Sequence, residues 1–426
     1  MPAFIVNGAK ALEGSIRPAG NKNAALPVLA AAVMSPEPVT IGNVPRIRDV
    51  LTLLEIIESL GAAVSWSGPN EVTIDAGNVA AGRPDPRLAE RIRASILLAG
   101  PLLARFGSVA LPPPGGDVIG RRRLDTHFLA FQRLGATVET GTGFELVAPK
   151  LVGADMFLDE PSVTATENAV MAAALAEGQT IIRNAAAEPH VQDLGHRLND
   201  MGGAVEGIGS GTLTIEGAES LHGARFDIGS DHIETGSFIG LAAATGSRLE
   251  IVDAPVEHLS STFIGFARLG INCEVNGRTI TVDGRNEPQI QMDAYGHVPK
   301  VDDGPWPAFP ADLTSIAVVA ATKARGTVLI HEKMFESRMF FTDKLAAMGA
   351  QIILCDPHRV VVVGPATLRG AEMESPDIRA GMAMLIAALG AEGKSVIRNA
   401  GQIERGYENI DVRLQALGAD IERVEA

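Results

Sequence analysis

Three basic residues are predicted to lie at the starts of helices. Lys22, Arg93 and Arg379 each open an apolar, alanine-rich run that is long enough for a short buried helix. The first turn of a helix has unpaired N–H groups and about half a positive charge, so it binds phosphate and carboxylate readily. A cation at that place opposes the helix dipole and needs a compensating anion, which could be a ligand.

Runs of the same kind are opened by Thr164, Thr235 and Asp312. Thr164 begins a Thr-x-x-Glu capping box with Glu167, and Asp312 is a favourable N-cap residue. A capping role is a sufficient explanation for Thr235 and could also explain Thr164. The same explanation is weaker for the three cations.

A Pro/Gly-rich segment at 111–123 is long enough to act as a lid, and it ends in three arginines that include Arg122. Taken alone, the segment is typical of a surface loop with a solvated run of charge. Arg338 and Arg405 also precede predicted helices. Together with the helix openers, these groups could neutralise a polyanionic substrate.

The openers recur at regular intervals, which indicates an internal repeat. They lie 71 residues apart from 22 to 93, from 93 to 164 and from 164 to 235, then 77 residues (235 to 312) and 67 residues (312 to 379) apart. The wider interval contains an insertion, 288–310, that reads as a surface loop. Each apolar helix is followed by a strand, an amphipathic helix ending at glycine and, in most periods, two strands.

The sequence therefore predicts an α/β protein of six β-α-β-α-β-β units. The first helix of each unit is apolar nearly all round and should be enclosed by protein. Three units could close round their apolar helices, and six units would then make two lobes.

Composition indicates a folded protein of more than one domain. The chain has 426 residues, 46% of them hydrophobic and 20% charged, and a net charge of -15, which argues against nucleic acid or an anionic membrane as a partner. Cys273 and Cys355 alone cannot form a disulfide framework or a zinc quartet. Without a leader-like start or a span-length apolar run, we expect a soluble cytoplasmic protein, monomeric or a weak homo-oligomer.

Motifs along essentially the whole chain resemble the enolpyruvyl transferase family, most closely its members that act on the sugar nucleotide UDP-N-acetylglucosamine. As a set, the motifs are highly specific. They are GNKNAALP at 20–27, IRAS at 92–95, PGGD at 114–117, NAA at 184–186, IETG at 233–236, FPAD at 309–312, FESR at 335–338, DIRA at 377–380 and RGYE at 405–408.

The resemblance implies a fold of two inside-out α/β barrel lobes, with three repeats each, around a closing cleft. The N-terminal lobe would comprise 22–230 and carry the lid loop 111–123, and the C-terminal lobe would comprise 1–21 and 231–426. The implied reaction transfers the enolpyruvyl group of phosphoenolpyruvate to the 3-hydroxyl of UDP-N-acetylglucosamine, at the start of peptidoglycan precursor synthesis. It implies no metal and no organic cofactor, because arginines supply the electrostatics.

The resemblance also implies roles for individual residues. Those that would hold phosphoenolpyruvate are Lys22, Arg122 and Arg405 at its phosphate, Arg338 and Arg379 at its carboxylate, and Asn23 beside them. Those that would contact the sugar nucleotide are Asn23, Arg93, Arg122, Asp125, Ser162, Val163, Asp312 and Met334. Asp312 would be the general base at the 3-hydroxyl, Asp117 the general acid at the methylene carbon, and Lys22 a further catalytic residue.

This chain departs from the family pattern at several of these places. Most members carry cysteine at the position of Asp117. Four further departures bear on the nucleotide half of the acceptor site: Arg123 in place of proline, Glu160 in place of lysine, Thr164 in place of glycine and His232 in place of arginine.

Other functions remain open at this point. A paralogue could use a different nucleotide or sugar, and a two-lobed protein could bind a sugar nucleotide without catalysis, although binding alone needs neither Asp117 nor Asp312. A shikimate-type transferase fits less well, because the first motif reads Asn-Lys-Asn rather than Ser-Lys-Ser. A repeat scaffold does not explain the arginines.

The acid at position 117 predicts an altered pH dependence. A free aspartic acid has a pKa of about 3.9, so Asp117 needs its pKa raised by lid closure or by substrate charge, whereas a thiol is already protonated at neutral pH. We expect kcat/KM to fall at lower pH than in the Asp117→Cys variant. Superimposable alkaline limbs in the two pH profiles would contradict this prediction.

Overall fold

The computed structural model describes residues 2–80, 82–116, 119–120 and 122–425. The described residues form two compact units. The N-terminal unit comprises 20–116 and 122–229, and the C-terminal unit comprises 2–19, 119–120 and 230–425. No helix in the described part of the chain is long and apolar enough to cross a bilayer.

The strands are β1 Pro2–Asn7, β2 Glu13–Ile16, β3 Val39–Gly42, β4 Ala63–Trp66, β5 Val72–Asp75, β6 Ser108–Leu111, β7 Thr137–Thr140, β8 Phe144–Val147, β9 Asp155–Phe157, β10 Gln179–Arg183, β11 Ala204–Glu206, β12 Thr212–Glu216, β13 Arg225–Asp227, β14 Arg248–Ile251, β15 Cys273–Asn276, β16 Thr279–Asp283, β17 Lys300–Asp302, β18 Gly326–His331, β19 Gln351–Asp356, β20 Arg359–Gly364, β21 Glu372–Glu374, β22 Lys394–Arg398 and β23 Asp420–Glu425.

The α-helices are α1 Lys22–Ala32, α2 Arg48–Ser59, α3 Pro86–Ala89, α4 Ala99–Phe106, α5 Asp125–Arg133, α6 Val163–Ala173, α7 Pro189–Asp200, α8 His232–Thr245, α9 Ser260–Arg268, α10 Thr314–Ala321, α11 Thr342–Ala347, α12 Ile378–Gly390 and α13 Ile410–Ala416. Short 3-10 helices occupy Arg93–Leu98, Val256–His258, Ala311–Leu313 and Ala400–Arg405.

Each unit contains three sheets, so the α/β class and the repeat are confirmed. The N-terminal unit has the orders β13-β3-β5-β4, β6-β8-β7 and β11-β12-β10-β9, and the C-terminal unit has β21-β22-β1-β23, β15-β16-β14-β2 and β17-β18-β20-β19. Every four-stranded sheet joins one parallel pair to two antiparallel pairs. The insertion 288–310 is more than a surface loop, because it contributes β17 to its sheet.

The second repeat departs from the predicted unit. Its sheet has the three strands β6, β8 and β7, and the described residues before α4 supply no leading strand. In place of a ladder, the N–H of Ala110 donates a single hydrogen bond to the C=O of Gly82. The predicted β-α-β-α-β-β order is therefore incomplete in this one repeat.

Two strands belong to one unit although the helix that follows each of them belongs to the other unit. β2 precedes α1 of the N-terminal unit but pairs in parallel with β14 of the C-terminal unit. β13 precedes α8 of the C-terminal unit but pairs in parallel with β3 of the N-terminal unit. β1 completes the last sheet by pairing with both β22 and β23.

The apolar helix of each repeat lies inside its unit, as its composition predicts. In α12 every residue from Ile378 to Leu389 is buried, and in α8 every residue from His232 to Ala244 is buried. Small residues allow the inner helices to approach closely. A Cβ added at Gly240 would lie 2.3 Å from Ile316 Cγ2, so α8 and α10 touch through this glycine.

Helix ends match the prediction at glycines but not at all caps. The glycines at 61, 135, 202, 270, 349 and 418 all have positive φ, as expected just past a helix end. Asn21, Asp231 and Asp377 are the caps that accept two backbone N–H groups each. The predicted caps at Thr164, Thr235 and Asp312 are wrong. Thr164 and Thr235 lie inside α6 and α8, and Asp312 lies in the 3-10 helix that precedes α10.

The contact at Gly240 predicts that an added methyl group destabilises the protein there but not at an open glycine. Gly240→Ala should lower the free energy of unfolding by about 1–3 kcal/mol, because the overpacked methyl group must displace α10. Gly141→Ala, where a Cβ would meet nothing within 4 Å, should stay within about 0.5 kcal/mol of wild type. Urea unfolding of both variants tests the difference, and equal midpoints would contradict it.

Candidate active site

The C-terminal unit holds Asp312 between two buried arginines. Arg338 Nη1 donates to Asp312 Oδ1 at 2.8 Å, and Arg379 donates to Oδ2 through Nε at 3.0 Å and Nη2 at 2.9 Å. The arginine side chains are 4% and 6% exposed, whereas that of Asp312 is 25% exposed. The carboxylate therefore remains accessible from one side of a strongly basic site.

The electrostatics of Asp312 follow from this geometry. Burial raises the pKa of Asp312, but the charges and hydrogen bonds of Arg379 and Arg338 lower it more, so the pKa lies well below the usual range. In this arrangement Asp312 is ionised and a weak base. It can accept a proton readily only when its guanidinium partners are drawn to another anion.

Arg379 is positioned by the start of α12. Its N–H donates to the side chain of the cap Asp377, and its Nη1 donates to the hydroxyl of Tyr407 at 3.2 Å. That hydroxyl also hydrogen-bonds Ser237 of α8 at 2.9 Å. Two inner helices and the segment after the Ala400–Arg405 turn thus fix one guanidinium group.

Arg338 lies in the segment after β18. Its guanidinium group stands 4.5 Å from the ring centroid of Phe335 and donates through Nη1 to the C=O of Ala311 at 2.9 Å. Met334, from the same segment, is 40% exposed. The predicted carboxylate-binding pair, Arg338 and Arg379, is therefore assembled on one acid.

Arg405 follows this pair in the sequence. It ends the 3-10 helix Ala400–Arg405 and donates to Gln402 Oε1 at 2.8 Å. A Cβ added at the next residue, Gly406, would lie 3.9 Å from Arg379 Nη1. The chain around Arg405 is therefore close to Arg379.

His232 also lies in this part of the C-terminal unit. It is buried at the start of α8, and its ring packs edge-on against Trp306 with centroids 6.2 Å apart. Burial and then His258 lower the pKa of His232 to about 3; Asp312 raises it, and Arg379 lowers it further. A neutral ring thus stands near Asp312 at a position where the family pattern has an arginine.

In the N-terminal unit, Lys22 begins α1 and is neutralised from within the chain. Its Nζ lies 2.9 Å from Asp49 Oδ2 of α2, and both side chains are 8% exposed. The anion that a cation at a helix start requires is therefore Asp49 here and Asp312 at Arg379. Asn23, the next residue of α1, is half-buried beside Lys22.

Arg93 and Arg122 form a second basic group of this unit. Arg93 Nη2 donates to the C=O of Arg122 at 2.7 Å and to that of Arg123 at 3.4 Å. Burial and then the charge of Arg122 lower the pKa of Arg93 to about 10. The two guanidinium groups repel each other, and a bound anion would relieve that repulsion.

Arg123 and Asp125 meet at the start of α5. Arg123 Nε lies 3.2 Å from Asp125 Oδ2, and Arg123 Nη2 lies 3.7 Å from Asp159 Oδ2. The side chain of Asp125 remains 65% exposed. The arginine that replaces a proline therefore holds the predicted nucleotide contact in an exposed ion pair.

Ser162 and Val163 begin α6, and the following residue is tied to a buried histidine. Thr164 Oγ1 lies 3.1 Å from His127 Nε2, and His127 Nδ1 lies 3.0 Å from Asn168 Nδ2. The amide of Asn168 donates, so the neutral ring carries its proton on Nε2 and donates to Thr164. Burial and then Arg93 lower the pKa of His127 to about 3, which agrees with a neutral ring.

The predicted site residues thus fall into two groups. Those in the N-terminal unit are Lys22, Asn23, Arg93, Arg122, Asp125, Ser162 and Val163, and those in the C-terminal unit are Asp312, Met334, Arg338, Arg379 and Arg405. Asp117 lies outside the described residues. No cluster of three or more His, Cys, Asp or Glu residues in the described part of the chain could hold a metal ion.

Sequence reasoning missed the partners of these residues. Asp49, Tyr407 and Asn168 each fix a predicted site residue or its neighbour, yet none stands next to it in the chain. Their buried polar character is the one signal in the sequence. It becomes informative only when the helices are packed.

Asn168 should be a large contributor to stability. Its amide accepts the N–H of Gly100 at 2.7 Å and donates to the C=O of Ile96 at 2.9 Å as well as to His127. Asn168→Ala should lower the free energy of unfolding by about 3 kcal/mol, because it leaves buried groups without partners. Gln351→Ala, on an exposed strand, should change it by less than about 0.5 kcal/mol. Similar urea midpoints for these two variants would rule out this role.

Comparison with known proteins places the chain among enolpyruvyl transferases. The family model for EPSP synthase (3-phosphoshikimate 1-carboxyvinyltransferase) matches residues 6–414. The UDP-N-acetylglucosamine 1-carboxyvinyltransferase of Bradyrhizobium diazoefficiens is 62% identical, covering 99% of this chain and 98% of that protein. The same enzyme of Treponema denticola is 55% identical, with both chains fully covered.

Solved structures agree on the fold. The enolpyruvyl transferase NikO of Streptomyces tendae superposes with a TM-score of 0.87 at 25% identity, covering 100% of this chain and 99% of that chain. An EPSP synthase of Acinetobacter baumannii has a TM-score of 0.75 at 18% identity, with both chains fully covered.

Proposed function

The chain belongs to the EPSP synthase family of enolpyruvyl transferases, and we propose that it transfers the enolpyruvyl group of phosphoenolpyruvate to the 3-hydroxyl of UDP-N-acetylglucosamine. Phosphate is the second product, and the reaction opens peptidoglycan precursor synthesis. The observation that carries the proposal is the ionised Asp312 between Arg338 and Arg379. It combines a base with two groups that bind a carboxylate.

The first step is an exchange of anions at the two arginines. The carboxylate of phosphoenolpyruvate binds Arg338 and Arg379 in place of the oxygens of Asp312, since guanidinium groups bind carboxylates in a fork geometry. Loss of these partners removes the effect that lowers the pKa of Asp312. The base thus gains proton affinity when the acceptor's hydroxyl needs it.

The second step is addition across the double bond. Asp312 takes the proton of the 3-hydroxyl, the hydroxyl oxygen bonds to C2 of phosphoenolpyruvate, and Asp117 protonates the methylene carbon. Lys22, Arg122 and Arg405 neutralise the phosphate, and Asn23 contacts both substrates. Loss of a proton from the new methyl group and departure of phosphate then restore the double bond in the product.

The nucleotide would be held by the basic group at Arg93 and Arg122 and by the start of α6 at Ser162 and Val163. Asp125 and Met334 are the remaining proposed contacts. The first turn of α6 and its neighbouring cations offer donors for the diphosphate. The negative charge of the diphosphate is balanced only when these cations are present.

A different nucleotide acceptor is the second candidate. It is favoured by the bond between Thr164 and His127 and by the exposed ion pairs of Arg123, which change the residues around the predicted nucleotide contacts. Phosphate release measured with UDP-N-acetylglucosamine, with other UDP-sugars and with UMP separates the candidates. Release with another acceptor alone selects the second candidate, and no release with any acceptor selects a non-catalytic binder.

Asp312→Asn should separate binding from turnover. We expect kcat to fall by about 10²–10⁴, because a general base is lost, while phosphoenolpyruvate binds as tightly as before or more tightly. Tighter binding follows because the amide competes less well for Arg338 and Arg379. Asp343→Asn, at an exposed position of α11, is the matched control and should behave as wild type. Near-normal turnover of Asp312→Asn would remove Asp312 from the mechanism.

A further inference from the structure

A second acidic pair lies behind Arg338 and has no part in the reaction described above. Asp303 follows β17 and Glu332 follows β18. These strands pair in parallel, with Asp302 opposite His331, so the next residues of both strands lie side by side. Asp303 is 1% exposed and Glu332 is 0% exposed.

The hydrogen bonds of the two carboxyl groups leave one place for a proton between them. Glu332 accepts from Thr314 Oγ1 at 2.6 Å and from the N–H of Met334 at 3.2 Å. Asp303 Oδ1 accepts the N–H of Lys333 at 2.5 Å, whereas the buried Oδ2 receives no donor from the other described groups. The pairing of β17 with β18 places these two buried carboxyl groups next to each other, and ionisation of both is strongly disfavoured there.

The surroundings favour one proton on this pair. Burial, followed by the hydrogen bond that protonated Glu332 donates to Asp303, raises the pKa of Glu332 to about 8, against the lowering effects of Arg338 and Thr314. Lys300 and Lys333 pair with Asp302 rather than with Glu332. His358 Nδ1 lies 2.8 Å from the backbone C=O of Glu332, and His331 precedes Glu332 at the end of β18.

Arg338 connects this pair to the candidate active site. Its Nε lies 4.0 Å from Glu332 Oε2 and makes no hydrogen bond within the described residues, while its Nη1 binds Asp312. One guanidinium group therefore faces two acids on different edges. The charge of Glu332 therefore affects how readily Arg338 can turn from these two acids to a third anion, such as the carboxylate of a bound substrate.

We propose that Asp303 and Glu332 share one proton, and that Glu332 is a positioning residue that makes phosphoenolpyruvate binding at Arg338 depend on retention of this proton. The inference rests on the proposed function. While the pair keeps its proton, Arg338 is shared only with Asp312 and can turn to the substrate. Once the proton is lost, a second buried carboxylate attracts the guanidinium group and repels the substrate's carboxylate.

The kinetic test compares KM for phosphoenolpyruvate and kcat from pH 6.5 to 9.5. For wild type we expect KM to rise by about fivefold to tenfold between pH 7 and pH 9, with a smaller change in kcat. Glu332→Gln imitates the protonated form and should keep KM nearly constant. Asp303→Asn should move the rise to lower pH, because the amide donates to Glu332 and stabilises its charge.

Asp343→Asn, the exposed acid of α11, is the matched control, and its pH profile should follow wild type. If Glu332→Gln and wild type show the same dependence of KM on pH, the coupling to substrate is wrong. If Asp303→Asn leaves the position of the rise unchanged, the shared proton is wrong.

A second measurement needs no substrate and therefore separates this inference from the proposed function. Glu332 keeps its proton up to about pH 8 in the folded protein but loses it near 4.5 in the unfolded chain, so wild-type stability should fall as pH rises through that window. The Tm of Glu332→Gln minus that of wild type should increase from pH 5 to pH 8 and then level off. A difference that does not vary with pH would overturn the shared proton even if the enzyme is active.

Discussion

The shared carboxylate of Asp312 is the interaction on which the candidate site depends. Two guanidinium groups buried without an anion would cost on the order of several kcal/mol each in lost hydration. Asp312 offsets that cost with hydrogen bonds of 2.8–3.0 Å to both arginines. The ion pairs that hold the site together also lower the pKa of Asp312, so one arrangement stabilises the protein and keeps this carboxylate ionised.

The same principle operates at Lys22, where Asp49 supplies the compensating charge within the N-terminal unit. Arg93 is different, because its hydrogen bonds go to backbone C=O groups beside another arginine. Cations at the starts of inner helices are thus either balanced inside the unit or left electrostatically strained. A bound anion would relieve the repulsion at a strained cation such as Arg93.

The architecture was largely predictable because it depends on local patterns. An alanine-rich run such as α12 has no polar face, so burial on all sides is its only stable environment. Glycines with positive φ mark helix ends through sterics alone. The pairing of β2 with β14 and of β13 with β3 was not predictable from local patterns, since nothing local in a short strand specifies which of two similar sheets it joins.

The site was predictable in its basic residues and not in their partners. Capping preferences pointed to Asp312 and Thr164 as caps, but contacts with Arg338, Arg379 and His127, between 26 and 67 residues away, outweigh them. Asp303 illustrates the same limit, because the insertion 288–310 reads as a surface loop and yet places a buried acid beside Glu332. Long-range pairing of charges is absent from any local pattern.

The sheet that contains β1 has a consequence for biosynthesis. β1 lies between β22 and β23, so its backbone groups cannot be paired until residues 394–425 have been translated. On the ribosome, the strand order of this sheet cannot be completed until translation has passed residue 425. The backbone of β1 therefore stays unpaired while the intervening chain is made, and this sheet of the C-terminal unit forms late.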